Sequence, residues 1–217
     1  MIKASETVEN ILLKDELALE SLRAGILNLS AYAQKIHPEV VRQALKPVRK
    51  GTIVVALSRF VKNINNISPL KPKVIIQDLS IKSPLFEVTF EKTSKNLKRV
   101  SELPKTWFTE GFITITEGVG EITIIIAERM KQQLLNHFNV KPKGQYSDLV
   151  AVTIRFKEED YVDEPNMIFT LVSALASKRI NLKEVVSTFT EISFIVKQSD
   201  RHSTTEALQQ FFDKSNQ

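Results

Sequence analysis

Few side chains in this chain are suited to catalysis. There is no cysteine, which removes thiol nucleophiles, thiolate metal sites and disulfides. The three histidines, His37, His137 and His202, stand far apart, and none has a partner at metal-ligand spacing. Ser30, Tyr32 and His37 are close in sequence, but no acid follows where a nucleophile relay would need one. His37 precedes Pro38 and reads as a helix-start residue. The first of only six glycines is Gly25, and no G-x-x-x-x-G-K-[ST] loop is present to cradle a phosphate. What remains is binding chemistry. Lys46, Arg49, Lys50, Arg59 and Lys62 supply positive charge for phosphate contacts. Glu158, Glu159, Asp160, Asp163 and Glu164 gather before a helical pattern, where acids complement a helix N-terminus.

The elements that must carry these groups change character along the chain. Residues 1–68 hold a net charge of +4 and read as a small all-α domain. Val8, Ile11 and Leu12, then Leu17, Leu19 and Leu22, recur near helical spacing. Ser5 and Asp15 are candidate caps, and Gly25 a stop. Ser30–Ile36 reads as a third helix, and Pro38 opens a fourth over Glu39–Lys46. A fifth starts at Gly51, with Ile53, Val54, Leu57, Phe60, Val61 and Ile64 on one face; a strand is the alternative for Ile53–Val55. Ser30–Ile36 and the helix from Gly51 resemble a helix-turn-helix pair. Fourteen residues separate them, however, where that motif uses a turn of about three or four. Asn63–Pro72 is rich in turn formers and reads as a linker.

From Lys73 the period becomes that of strands. Val74–Ile81 is one strand and Leu85–Phe90 another. Ser94–Leu103 reads as a helix, Phe112–Glu117 and Glu121–Ala127 as a hairpin turned by Gly118-Val119-Gly120, and Glu128–Phe138 as a helix. Trp107 is expected to plug the core or a sheet edge. The order then repeats: strand Leu149–Phe156, helix Glu164–Lys178, strands Ile180–Thr188 and Glu191–Lys197, helix Thr204–Phe212. Two successive strand–helix–strand–strand–helix runs define an α+β fold of tandem ferredoxin-like (βαββαβ) sandwiches, spanning 72–148 and 149–217. Each run lacks a fourth strand. Because exposed edges are normally covered, Val74–Ile81 is expected to close one of the two, giving an interleaved pair.

Ala174-Leu-Ala-Ser-Lys-Arg-Ile-Asn-Leu-Lys-Glu-Val-Val-Ser-Thr188, followed by Glu191-Ile-Ser-Phe-Ile-Val196, resembles an ACT domain, most closely the regulatory ACT region of aspartokinases. The likeness spans about residues 149–212, extends over 72–148 only in element order, and leaves out residues 1–71. It implies a small-molecule sensor, usually for an amino acid, built from paired ACT units and commonly dimeric. The implied ligand loop is Lys157–Met167. Asn166 and the backbone amides through Met167 and Ile168 would meet a ligand carboxylate, Asp163 or Glu164 would take its ammonium, and Asn181 stands near the ligand or turn. The chain departs from the family pattern in having no glycine after Gly144, so none lies in that loop. The expectation is a non-catalytic cytoplasmic regulator, an amino-acid-binding homodimer with no cofactor, no metal and no membrane contact. The alternative is an ACT-regulated transcription factor binding DNA through the N-terminal helices. The longest uninterrupted apolar runs, such as Ile124–Ala127, are strand-sized, well short of the ~18 residues of a membrane helix.

Overall fold

In a computed structural model, residues 3–109, 111–157 and 164–212 are described. The chain folds as two compact units, Met1–Pro72 and Lys73–Gln217.

The first unit contains α1 (Ala4–Leu12), α2 (Glu16–Arg23), α3 (Leu29–Ala44), α4 (Lys50–Phe60) and a 3-10 turn, Val61–Asn66. Asp15 caps α2 by accepting from Ala18 N at 3.1 Å, and Asn28 caps α3 from Ala31 N at 3.0 Å. Ser5 caps nothing: α1 already begins at Ala4, without a side-chain cap. The third and fourth expected helices are one. Pro38 lies inside α3, because Ala33, Ile36, Val40 and Ala44 form a single buried stripe on both sides of it. Burying that stripe outweighs the hydrogen bond that proline removes. Leu45, at φ 53°, ends the helix. The expected linker is also partly built into this unit. Arg23 donates to Ile64 O at 3.2 Å and Ile67 O at 2.9 Å, and Leu70 N donates to Glu20 Oε1 at 3.2 Å.

The second unit is a six-stranded antiparallel sheet with helices. Its elements are β1 (Asp78–Glu91), α5 (Ser94–Ser101), β2 (Ile113–Glu117), β3 (Glu121–Ala127), α6 (Lys131–Phe138), β4 (Gly144–Arg155), α7 (Met167–Ser177), β5 (Glu184–Ser187), β6 (Glu191–Lys197) and α8 (Arg201–Gln209). The strand order is β2-β3-β1-β4-β6-β5. It is a tandem of ferredoxin-like sandwiches, a first half from β1 to α6 and a second from β4 to α8.

The two strands expected at Val74–Ile81 and Leu85–Phe90 are one continuous β1 that starts only at Asp78; Val74–Gln77 precede it, with Ile76 in an isolated bridge to Phe212. Leu79 and Ile81 pack in the second half's core, while Phe86, Val88 and Phe90 pack in the first half's. The inward positions switch from odd to even, a change of phase that needs irregular pairing. The register against β4 duly shifts between Lys82 and Leu85 and again between Leu85 and Glu87. Each long strand thereby serves both halves. Asp78–Lys82 pairs with Ala151–Arg155 and fills the fourth-strand place of the second half, and Gly144–Leu149 pairs with Leu85–Thr89 and fills that of the first. The interleaving follows from this exchange.

Helices α5 and α6 cover Phe86, Val88, Phe90, Ile122, Ile124 and Ile126. There Phe90 stacks on Phe138 with ring centroids 4.2 Å apart, and Trp107 is buried in the same core. Helices α7 and α8 cover Val150, Val152, Ile154, Ile192, Phe194 and Val196. The other face of the sheet carries a third cluster, Leu85, Ile125, Leu149, Ala151 and Ile195, also buried. In a flat sheet Glu87 on β1 and Glu184 on β5 would stand three strand spacings and about five residue rises apart, ~20 Å. Instead, Glu184 and Lys183 both act on the Glu87 carboxyl, and Lys183 Nζ stands 4.3 Å from the ring centroid of Tyr146, Glu87's cross-strand neighbour. The sheet therefore folds across its middle. The helix-free faces of its halves pack on each other, with the third cluster as their seam.

Candidate functional site

The fold brings a helix start and a hairpin turn together in the second half. Helix α7 starts after Asn166, whose φ of 68° is left-handed and whose side chain makes no capping bond to the helix. Asparagine is among the few residues that adopt this conformation readily. The hairpin between β5 and β6 turns through Thr188, Phe189 and Thr190, with Thr188 N donating to Glu191 O at 2.9 Å. Between them lies a cleft of about 560 Å³, lined by Glu164, Asn166, Met167, Ile168, Phe169, Thr188 and Phe189.

The cleft's lining mixes apolar and polar residues. Met167 is buried, but Ile168, Phe169 and Phe189 remain 46%, 43% and 61% exposed. A run of large exposed apolar side chains around a concavity marks a binding surface. The polar groups are the Glu164 carboxylate, the Asn166 amide and the Thr188 hydroxyl. The N–H groups at the start of α7 carry the positive end of the helix dipole. The arrangement can receive an anion at the helix start, a cation at Glu164 and an apolar body between Ile168, Phe169 and Phe189. Among the described residues no cluster of three or more His, Asp or Glu could hold a metal ion.

Of the residues singled out in the sequence, Glu164, Asn166, Met167 and Ile168 meet at this cleft. Asp163 lies outside the described residues. Asn181 does not line the cleft; it is exposed in the connection between α7 and β5. Sequence reasoning missed Phe169, Thr188 and Phe189. The available signal was a phenylalanine at the centre of Ser187-Thr-Phe-Thr190, a hairpin turn, where polar residues are usual.

The basic residues of the first unit do not form one patch. Arg49 and Lys50 are exposed at the start of α4, with Lys46 half-buried in the five-residue turn from α3; Arg59 and Lys62 are exposed at its far end. Nine helical rises, ~14 Å, separate Lys50 from Arg59. Along α4 Ile53, Leu57 and Phe60 turn into the core. His37, His137 and the Tyr32 hydroxyl are structural. His37 Nε2 lies 2.7 Å from Val48 O, and His137 Nε2 lies 2.7 Å from Arg99 O, while Arg99 donates back to His137 O at 2.6 Å. Tyr32 donates to Asp15 at 3.2 Å; burial and the Asp15 charge raise its pKa.

The sheet unit has an ACT-like fold. Among solved structures, the chain is similar to an aspartate kinase of Clostridium acetobutylicum, with a TM-score of 0.53 and 12% identity over 64% of this chain. It spans 35% of that kinase's length. It is similar over almost the full length, 99%, of the regulatory subunits of aspartate kinase from Thermus thermophilus and Thermus flavus, with TM-scores of 0.51 and 0.53 and identities of 14% and 13%. At such identities the likeness shows the fold alone. No family model matches the chain, and no curated protein matches it in sequence. Among the described residues no helix is long and apolar enough to cross a membrane.

Proposed function

We propose that the protein is a non-catalytic regulatory subunit that senses a free amino acid in the cytoplasm through the cleft at the start of α7. The observation that carries this reading is the cleft itself: a helix start, a carboxylate and three exposed apolar side chains around one space of about 560 Å³. The ligand carboxylate lies against the amides of Met167 and Ile168. Its ammonium faces Glu164, and its side chain enters between Ile168, Phe169 and Phe189. The regulatory subunits of aspartate kinase that share the fold support the same class of role. The protein works as a homodimer. The exposed Val185 and Phe189 beside β5, an edge that pairs only with β6 among the described residues, give a second copy apolar surface to cover.

Thermal denaturation with each of the twenty amino acids tests the reading. A ligand at a hundred times its Kd adds about 2.7 kcal/mol, a rise of several degrees in Tm for a chain of this size. A panel in which no amino acid moves Tm removes the sensing function. Light scattering tests the dimer, and a monomer at micromolar concentration removes it.

A further inference from the structure

The seam between the two half-sheets buries a carboxyl group. Glu87 is 6% exposed, and its Oε2 has no hydrogen-bond partner. Its neighbours can be named element by element. Ile125 on β3 and Tyr146 on β4 are its cross-strand partners, and Thr114 on β2 continues the same row with a second buried, unpartnered oxygen. Lys183 and Glu184 face it from the second half. Lys183 forms no ion pair with Glu87; its ammonium lies over the Tyr146 ring. An ionised carboxylate buried without a paired cation or a donor is strongly disfavoured, and a second carboxylate nearby adds to the cost.

We propose that Glu87 and Glu184 form a proton-operated latch across this seam, closed while a proton is held there and loosened when both carboxyls ionise. Burial, then the charge of Glu184, raises the pKa of Glu87 against a smaller opposing pull from Lys183, and burial raises that of Glu184. For a carboxyl raised in the folded state the proton-linked stabilisation is complete below the unfolded pKa, about 4.3, and is lost as pH rises through the folded value. The latch therefore closes toward acid. β5 joins it to the cleft: Glu184 begins the strand and Thr188 follows its last residue, so loosening at the seam reaches the Phe189 wall.

The test compares the full chain with Glu87→Gln and Glu184→Gln at pH 5.5 and pH 8. It reads Tm together with hydrogen-exchange protection factors for the Glu184–Ser187 amides, which remove the intrinsic pH dependence of exchange. Wild-type protection falls from the lower to the higher pH as the two raised carboxyls ionise. In Glu87→Gln it stays level, and Tm exceeds wild type at pH 8 but not at pH 5.5. Glu184→Gln, at a half-buried site, carries the same expectation should the first variant fold poorly. Wild-type protection independent of pH, or variants whose Tm differs from wild type equally at both values, would overturn the latch.

Discussion

The two halves of the sheet unit share one topology and differ in how the long strand of each joins the helix after it. In the first half only Lys92 and Thr93 join β1 to α5. Thr93 accepts from Asn96 N at 3.1 Å, and the buried Asn96 amide donates to Glu91 O at 2.8 Å, so the helix start is closed by its own loop. In the second half residues 156–166 separate β4 from α7, Asn166 makes no side-chain cap, and the cleft opens beside it. The sandwich alone does not make a binding site. The space comes from the connection and from the opposite hairpin turn, while the strands beneath are equivalent.

The largest expected effect tests whether the halves are separable. Phe90→Ala in the first half and Phe194→Ala in the second each remove a fully buried ring, at a cost of about 3–5 kcal/mol. Because β1 and β4 belong to both halves, each variant should lower the urea midpoint of both together, followed by Trp107 fluorescence in one half and exchange of the β6 amides in the other. Loss of one half alone would break the interleaved picture. Next comes the cleft. Phe189→Ala should weaken amino-acid binding about tenfold by calorimetry, the loss of roughly 1.4 kcal/mol of apolar contact. Stability should stay within about 0.5 kcal/mol, as for exposed positions generally. The smallest pair compares the two helix starts. Thr93→Ala should cost about 1 kcal/mol in denaturant melts with ligand affinity unchanged. Asn166→Ala should cost about 1–2 kcal/mol, since alanine resists the left-handed φ of 68°.

Much of this was legible from period and punctuation. Phe86, Val88 and Phe90 alternate as a half-buried strand must, Gly118-Val119-Gly120 turns the β2–β3 hairpin, and the repeated element order announced the tandem. The failures have physical causes. Pro38 looked like a helix start because local propensity counts its missing N–H, whereas the stripe from Ala33 to Ala44 shows its value only against a tertiary core. The stretch around Pro84 looked like a break because a continuous strand that changes phase looks the same as two strands. At the site, Glu164, Asn166, Met167 and Ile168 could be found because they are contiguous and begin a helix. Thr188 and Phe189 reach the cleft only through the fold, so no local pattern connects them to it.

The exchange of strand halves between β1 and β4 also governs what happens if the backbone is cut in the 140–143 connection. Neither fragment could complete its own sheet, since each would keep one long strand with a bare flank meant for the other. Produced together, the pieces have a route to zip into one body, which makes this connection a natural place to build a two-part reporter.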